Sequence, residues 1–328
     1  MIGREDLEIR EMETLSPYAC KSALSRGRSF PEKPCELRTD FQRDRDRIIH
    51  SKALRRLMHK TQVFLSPEGD HFRTRLTHTL EVAQIAKSIS RALNLNEDLT
   101  EAIALGHDLG HTPFGHNGEQ FLDEIHPGGF MHNVQSLRVV DVIERNENGR
   151  NMNLTEEVRD GILNHTGKDW PFTLEGQVVR HSDRIAYINH DIDDAVRGGI
   201  ISKEDLPAEC VEYLGKDHRS RINTLINDIV RTSDGAGSIE LSEEAGRYMF
   251  LLRDYMFENV YKSPVVKKNA ELEKIRGLIY MLYDYFLERP EQMPPEYRQI
   301  MSDDGAEEAV KDYISGMTDR YAINMFNE

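Results

Sequence analysis

Apolar residues recur at helical spacing along nearly the whole chain, and no stretch alternates as a half-buried strand does. Between Thr77 and Leu93 the residues Leu80, Ile85, Ile89 and Leu93 mark one such helix. Asn96 is placed to cap the next, with Glu97 and Asp98 in its first turn. That second helix runs through Ile103 and Leu105 and is expected to stop near Gly110, because Gly110 and Pro113 both interrupt a helix. Residues 119–125, 133–144, 156–164 and 177–196 read as helices, as do the longer amphipathic stretches 243–261, 270–287 and 307–317. Residues 146–153 and 232–238 read as loops, and the proline-containing segment 290–295 separates the last two helices. There is no internal repeat. The expected fold is therefore all-α, with at most a short hairpin near residues 64–72.

Composition narrows the class. Charged residues make up 30% of the chain against 38% hydrophobic, a globular profile without low-complexity bias. No apolar run reaches the roughly 18 to 20 residues that span a bilayer, and Arg4, Glu5, Asp6 and Glu8 stand where a signal peptide would need an apolar region. Cys20, Cys35 and Cys210 are too few and too scattered for a disulfide framework, which fits a reducing compartment and a cytoplasmic location. A formal net charge of −15 argues against nucleic acid as a general partner, since that affinity comes from phosphate neutralisation by Lys and Arg. The segment from Arg26 to Lys60 is nevertheless locally basic, enough for a small anionic ligand. Gly198, Gly199 and Pro207 bracket a polar stretch, so the chain divides into an N-terminal extension (1–40), a core (41–200) and a C-terminal helical region packed on it (201–328).

The densest chemical signal is His107-Asp108-Leu109-Gly110-His111-Thr112-Pro113-Phe114-Gly115-His116, with three of the 13 histidines and an aspartate in ten residues. Neutral imidazole with ionised carboxylate suits Mn²⁺, Mg²⁺, Fe²⁺, Co²⁺ or Zn²⁺. Neighbouring residues on a helix point about 100° apart, so His107 and Asp108 need ligands from other helices to complete a site. His78, near the start of the preceding helix, and Asp183, in the 177–196 helix, are available for that. Taken singly, each is more often a helix cap or a satisfied core polar group.

Together the order His78, His107-Asp108, Asp183 resembles the H…HD…D signature of the HD superfamily, whose members bind one or two divalent ions between helices. The wider matches Arg75-Leu-Thr-His78, His107-Asp-Leu-Gly-His111-Thr-Pro-Phe-Gly-His116-Asn-Gly-Glu119 and His132-Asn-Val-Gln-Ser-Leu-Arg138 are similar to the deoxyguanosine triphosphate triphosphohydrolase family. The likeness runs from about residue 43 through 191 and returns at Tyr313-Ile-Ser-Gly-Met-Thr-Asp-Arg-Tyr321. It implies an HD-domain helical fold with additional C-terminal helices, and removal of intact triphosphate from deoxynucleoside triphosphates. By the same resemblance His78, His107, Asp108 and Asp183 hold the metal, while His116 and Glu119 serve proton transfer. His111 and His132 would line the phosphate site, although some members carry Asn at the position of His111. Arg75 and Arg184 would grip phosphate; Gln62, Tyr187 and Asp191 would read the sugar, a ring beside C2′ and a carboxylate on the 3′ hydroxyl favouring deoxyribose. An exposed salt bridge is the plain alternative for Arg75, and amphipathic packing for Tyr187 and Asp191.

Within the superfamily the nearest alternative is a 5′-nucleotidase or cyclic-nucleotide phosphodiesterase using the same ligands. From another class, a nucleotide-sensing or nucleic-acid-binding protein would share the fold. Several relatives are homo-oligomers activated by a second deoxynucleotide, so both are expected here by resemblance. The apolar faces around Phe250, Leu251, Met256 and Phe257 serve either a core or a subunit interface. Base preference has no sequence signal.

Overall fold

The computed structural model describes residues 1–62, 73–262 and 269–327. Helices α1 (Arg4–Thr14), α2 (Asp40–Ile49) and the short α3 (Lys52–Arg56) lead into α4 (Arg75–Ala92), α5 (Glu97–Gly106), α6 (Gly115–Ile125), α7 (His132–Arg138), α8 (Glu156–Asn164) and the long α9 (Leu174–Arg197). The chain continues through α10 (Ala208–Leu214), α11 (His218–Ser233), α12 (Glu243–Met256), α13 (Asn269–Glu288), α14 (Pro295–Asp304), α15 (Ala306–Ser315) and α16 (Asp319–Asn327). Among the described residues there is no strand, only isolated bridges joining Arg28 to Thr155 and Thr61 to Thr74. The fold is all-α, as the periodicity requires. The hairpin expected at residues 64–72 lies outside the described residues. No helix among the described residues is long and apolar enough to cross a membrane.

Local chemistry sets the helix starts that matter for the site. Thr74 caps α4 by accepting from Thr77 N, Asn96 caps α5 by accepting from Leu99 N at 3.2 Å, and Thr173 caps α9 by accepting from Gly176 N at 3.1 Å. Helix α5 ends at Gly106, four residues before the expected stop. The following segment finds other partners: Gly110 N donates to Ser136 Oγ at 2.9 Å, and Ser136 Oγ donates to the His107 carbonyl at 2.7 Å. His107 and Asp108 consequently lie on a turn after the helix, free of its 100° spacing. The stretch 133–144 is helical only to Arg138 before widening into a π-helical turn over Val139–Ile143, and 243–261 likewise ends in a π turn at Phe257–Tyr261.

The apolar interior forms two clusters. In the first, α4, α5, α8 and α9 pack together around Val82, Ile85, Ile89, Ile103, Ile162 and Val178, with α11 and α12 against α9. Burying each of these side chains stabilises the fold by about 1.5–3 kcal/mol. A Cβ on Gly161 would fall 2.5 Å from the Ile103 side chain, so the α5–α8 contact requires glycine there. The second cluster joins α6 to α13–α16 through Phe121, Leu122, Ile279, Phe286, Val310 and Ile314.

Candidate functional site

Three elements of the first cluster converge, α4 and α5 at their ends and α9 at its middle. The first turn of α4 supplies Arg75 and His78, the turn after α5 supplies His107 and Asp108, and the middle of α9 supplies Asp183. His78 Nε2 lies 3.0 Å from Asp183 Oδ1, and His107 Nε2 lies 3.7 Å from the same oxygen. His107 Nδ1 faces the Ala104 carbonyl at 2.7 Å. A carbonyl only accepts, so Nδ1 carries the hydrogen and Nε2 presents a lone pair towards Asp183. That Nε2 is buried with no hydrogen-bond partner in the protein. The donor atoms of His78, His107 and Asp183 all lie within 4.8 Å of one another, the spread expected of ligands about 2.0–2.2 Å from one ion. An orphaned buried nitrogen, a second imidazole and a carboxylate fit a divalent cation.

Asp108 Oδ1 stands 4.0 Å from His107 Nε2. Its Oδ2 accepts from Arg75 Nη1 at 2.7 Å, and Arg75 Nη2 donates to the Gln62 carbonyl at 3.2 Å. Arg75, expected to grip phosphate, is thus 2% exposed and spends its guanidinium on Asp108 and on the chain at Gln62. Burial alone would raise the Asp108 carboxyl, yet Arg75 and the surrounding imidazoles hold it well below the usual range. Asp183 is depressed in the same way against burial, chiefly by its bond to His78.

A second group adjoins the first. Glu119 Oε1 accepts from His132 N at 2.9 Å and pairs with His132 Nδ1 at 2.8 Å, while Oε2 lies 3.5 Å from both His111 Nε2 and His116 Nδ1. His111 stacks on His132 with ring centres 4.9 Å apart. His165, which the sequence pattern does not single out, joins the two groups: its ring centre is 5.0 Å from that of His107, and its Nε2 is 3.3 Å from His132 Nε2. His165 Nδ1 faces the Ile162 carbonyl at 2.7 Å, so its Nε2 accepts and His132 Nε2 donates. His132 therefore donates from both nitrogens. Burial opposes its charge, but Glu119 raises its pKa above the ordinary value, consistent with an imidazolium. Burial pushes His165 down to about 3 and His111 well below its usual value, keeping both neutral. Glu119, despite burial, is held far below the carboxylate range by His116 and His132. His116 is the exposed member, with 62% of its side chain open.

Both groups border a cleft of about 790 Å³ that is also lined by Tyr187 from α9 and by Met249, Phe250, Arg253, Phe257 and Tyr261 from 243–261. Gln62, Arg75 and Arg184 also line it. Arg184 stands 5.9 Å over the ring of Trp170, which Arg180 also covers at 4.4 Å. Arg180 donates to the carbonyls of Asn164 and Gly167 and so fixes the loop after His165. Asp191 is set back from the cleft, its Oδ2 accepting from Tyr261 O–H, and burial pushes its carboxyl up to about 7. Tyr261 covers the residue expected to read the sugar.

Comparison with known proteins gives this arrangement its family. The HD-domain family model matches residues 75–188, and the phosphohydrolase-associated-domain model matches residues 239–328. A deoxyguanosinetriphosphate triphosphohydrolase-like protein of Caldanaerobacter subterraneus subsp. tengcongensis is 56% identical over 99% of this chain and 95% of its own. Proteins of the same description from Desulfatibacillum aliphaticivorans and Clostridium tetani are 49% and 48% identical, covering 100% and 99% of this chain and 98% and 95% of theirs. The chain belongs to the deoxyguanosinetriphosphate triphosphohydrolase-like family.

It is accordingly an HD-domain phosphohydrolase, and HD domains bind divalent metals. The HD-domain match contains both groups of the site, from His78 to Asp183, together with His165. Beyond it, the associated-domain match contains Arg253, Phe257 and Tyr261. The part of the cleft lined from 243–261 is beyond the reach of periodicity, which sees an amphipathic helix there and cannot say which face meets α9. The signals available were the basic Arg253 and the tyrosine eight residues on, at the same end of that helix.

Proposed function

We propose that this protein hydrolyses deoxynucleoside 5′-triphosphates to deoxynucleoside and inorganic triphosphate. The carrying observation is that a metal-suited group, His78, His107 and Asp183, and a Glu119-centred histidine group border one nucleotide-sized cleft. Asp108 completes the metal set, held in place by Arg75. A divalent ion bound there supplies Lewis-acid polarisation of a phosphoryl oxygen and an activated water. Water oxygen bonds to the α-phosphorus, the bond from that phosphorus to the 5′ oxygen breaks, and the leaving oxygen takes a proton. His116 is suited to hand over that proton, being exposed to the cleft and oriented through Nδ1 by Glu119. The His132 imidazolium and Arg184 offset the charge on the triphosphate. Tyr187 and Tyr261, backed by Asp191, form the sugar wall.

Reaction of Mn²⁺-loaded protein with each deoxynucleotide in ¹⁸O-labelled water tests this reading. Label is expected in tripolyphosphate and none in the nucleoside. Deoxynucleoside mono- or diphosphate as principal product would refute it and leave the broader HD phosphohydrolase class. The same panel reads out base preference.

A further inference from the structure

The motif Tyr313–Tyr321 has no part in the chemistry above, yet its aspartate reaches the site. Thr318 stands before the first turn of α16, with Tyr321 N donating to its Oγ1 at 3.2 Å, which fixes Asp319 at the start of the helix. From there Asp319 Oδ1 accepts from Phe114 N at 2.9 Å, and Oδ2 accepts from Thr61 N at 3.0 Å and from Thr61 Oγ1. One carboxylate thereby ties together two segments distant in sequence.

Both segments need a tie. Phe114 has φ 63° and ψ 23°, the left-handed region that a bulky residue rarely adopts, and Gly115 follows at φ 61°. This strained turn begins α6, which presents His116 and Glu119 one turn later. A Cβ on Gly115 would lie 2.7 Å from the Gln62 carbonyl, so the turn rests directly on the Gln62 backbone. Lys60 Nζ reinforces the junction from beneath, donating to the carbonyls of His111 at 2.5 Å and Ser315 at 2.8 Å. The turn's geometry is thus held from the C-terminal region as well as locally, where Thr112 Oγ1 donates to the Gly115 carbonyl at 3.1 Å.

We propose that Asp319 is a positioning residue: it holds the left-handed turn at Phe114 against the Gln62 segment, and so sets where His116 and Glu119 stand relative to substrate. This rests on the triphosphohydrolase reading for its kinetic consequence, though not for its structural one. Asp319 itself bonds to Thr61 and Phe114 and to none of His78, His107, Asp108 or Asp183, so Mn²⁺ content separates its role from that of a metal ligand.

The test uses the full-length, Mn²⁺-loaded protein and the variants Asp319→Ala, Asp319→Ser and Asp319→Asn, with kcat and KM on deoxynucleotides, Mn²⁺ content, and hydrogen–deuterium exchange of peptides spanning residues 111–118. In Asp319→Ala, kcat is expected to fall on the order of 10- to 100-fold with KM and Mn²⁺ content changing less than about threefold, and exchange at 114–118 to accelerate. Asp319→Ser keeps a residue suited to a helix start but is too short to reach Phe114, so it behaves alike if Asp319→Ala fails to fold. Asn keeps the oxygen that accepts from Phe114 N and loses the acceptor for Thr61 N. Asp319→Asn should therefore retain kcat within about threefold, keep the turn protected, and raise KM through the Gln62 segment. Wild-type kcat and exchange in Asp319→Ala or Asp319→Ser would overturn the proposal, as would a kcat loss that tracks loss of Mn²⁺, or Asn behaving as badly as Ala. If the unaltered protein releases no tripolyphosphate, the functional reading falls, and the exchange comparison alone still decides the positioning role.

Discussion

Replacing Glu175 by Gln should change how the protein's stability depends on pH. Glu175 lies in the first turn of α9, fully buried, with Oε1 accepting from Cys20 N and from Asn96 N, each at 2.9 Å. It thus fastens the N-terminal segment and the cap of α5 to the helix that carries Asp183. Its other oxygen is buried without a partner. Burial outweighs the backbone donors and raises the carboxyl from its ordinary 4.5 to about 7. Because the folded-state value lies above the unfolded one, the native protein binds the extra proton between these limits, and stability falls as pH rises through that window. At about 1.4 kcal/mol per pH unit, the gap is worth about 3 kcal/mol, fully present below pH about 4.5 and lost above about 7. An unfolding entropy of about 2.1 cal/mol/K per residue over 328 residues converts this into about 5 °C of Tm. Glu175→Gln, neutral at every pH, should exceed the parent by only about 1 °C at pH 5 and by nearly the full margin at pH 8. Taking the difference between two proteins at each pH cancels every other titrating group. A Tm difference that stays flat from pH 5 to 8.5, or a variant less stable at pH 8, would refute the reasoning.

Three further outcomes follow from the site. His107→Ala should lose bound metal and activity with its helical circular dichroism intact, whereas Asp108→Ala should also lose about 3–5 kcal/mol of stability because it strands the buried Arg75; metal analysis and denaturant titration separate the two. Trp170 is the single tryptophan and lies beside Arg184, so its fluorescence should change on adding tripolyphosphate, and Arg184→Ala should abolish the change. Tyr261→Phe frees Asp191 of its hydroxyl partner and should narrow the preference for dGTP over GTP; equal use of both by the unaltered protein would dismiss a sugar-reading role for this wall.

The sequence exposed what is local and left hidden what depends on packing. Helical spacing located α4, α5 and α9, and the HD pair pointed to the start of α4 and the end of α5, where His78 and His107 meet Asp183 from the middle of α9. The end of α5 was misplaced because Ser136, 29 residues from His107, satisfies the carbonyl that would have continued the helix. Helix α1 buries no residue and α11 buries chiefly Leu225 and Ile229, so neither shows a full apolar stripe. His165 was missed since a histidine closing an amphipathic helix looks like any core histidine until His107 and His132 are seen on either side. Arg75 and Asp191 were found by resemblance, but their present partners, Asp108 and Tyr261, are tertiary facts.

The division of labour between the two matched segments has a physical logic. The metal-suited residues sit on α4, on the turn after α5 and on α9, so their placement is held by the larger of the two apolar clusters among the described residues. The part of the cleft lined by Arg253, Phe257 and Tyr261 comes from the end of α12 and the π turn after it, where the helical ladder is already irregular. On the proposed reading, substitutions there would alter the shape and charge of the cleft without touching His78, His107 or Asp183. The coupling runs the other way through Lys60 and Asp319, which bind the turn carrying His111 and Phe114 to α15 and α16. A C-terminal region that contributes both a wall and a brace belongs to the proposed active site, and its removal should cost catalysis before it costs metal.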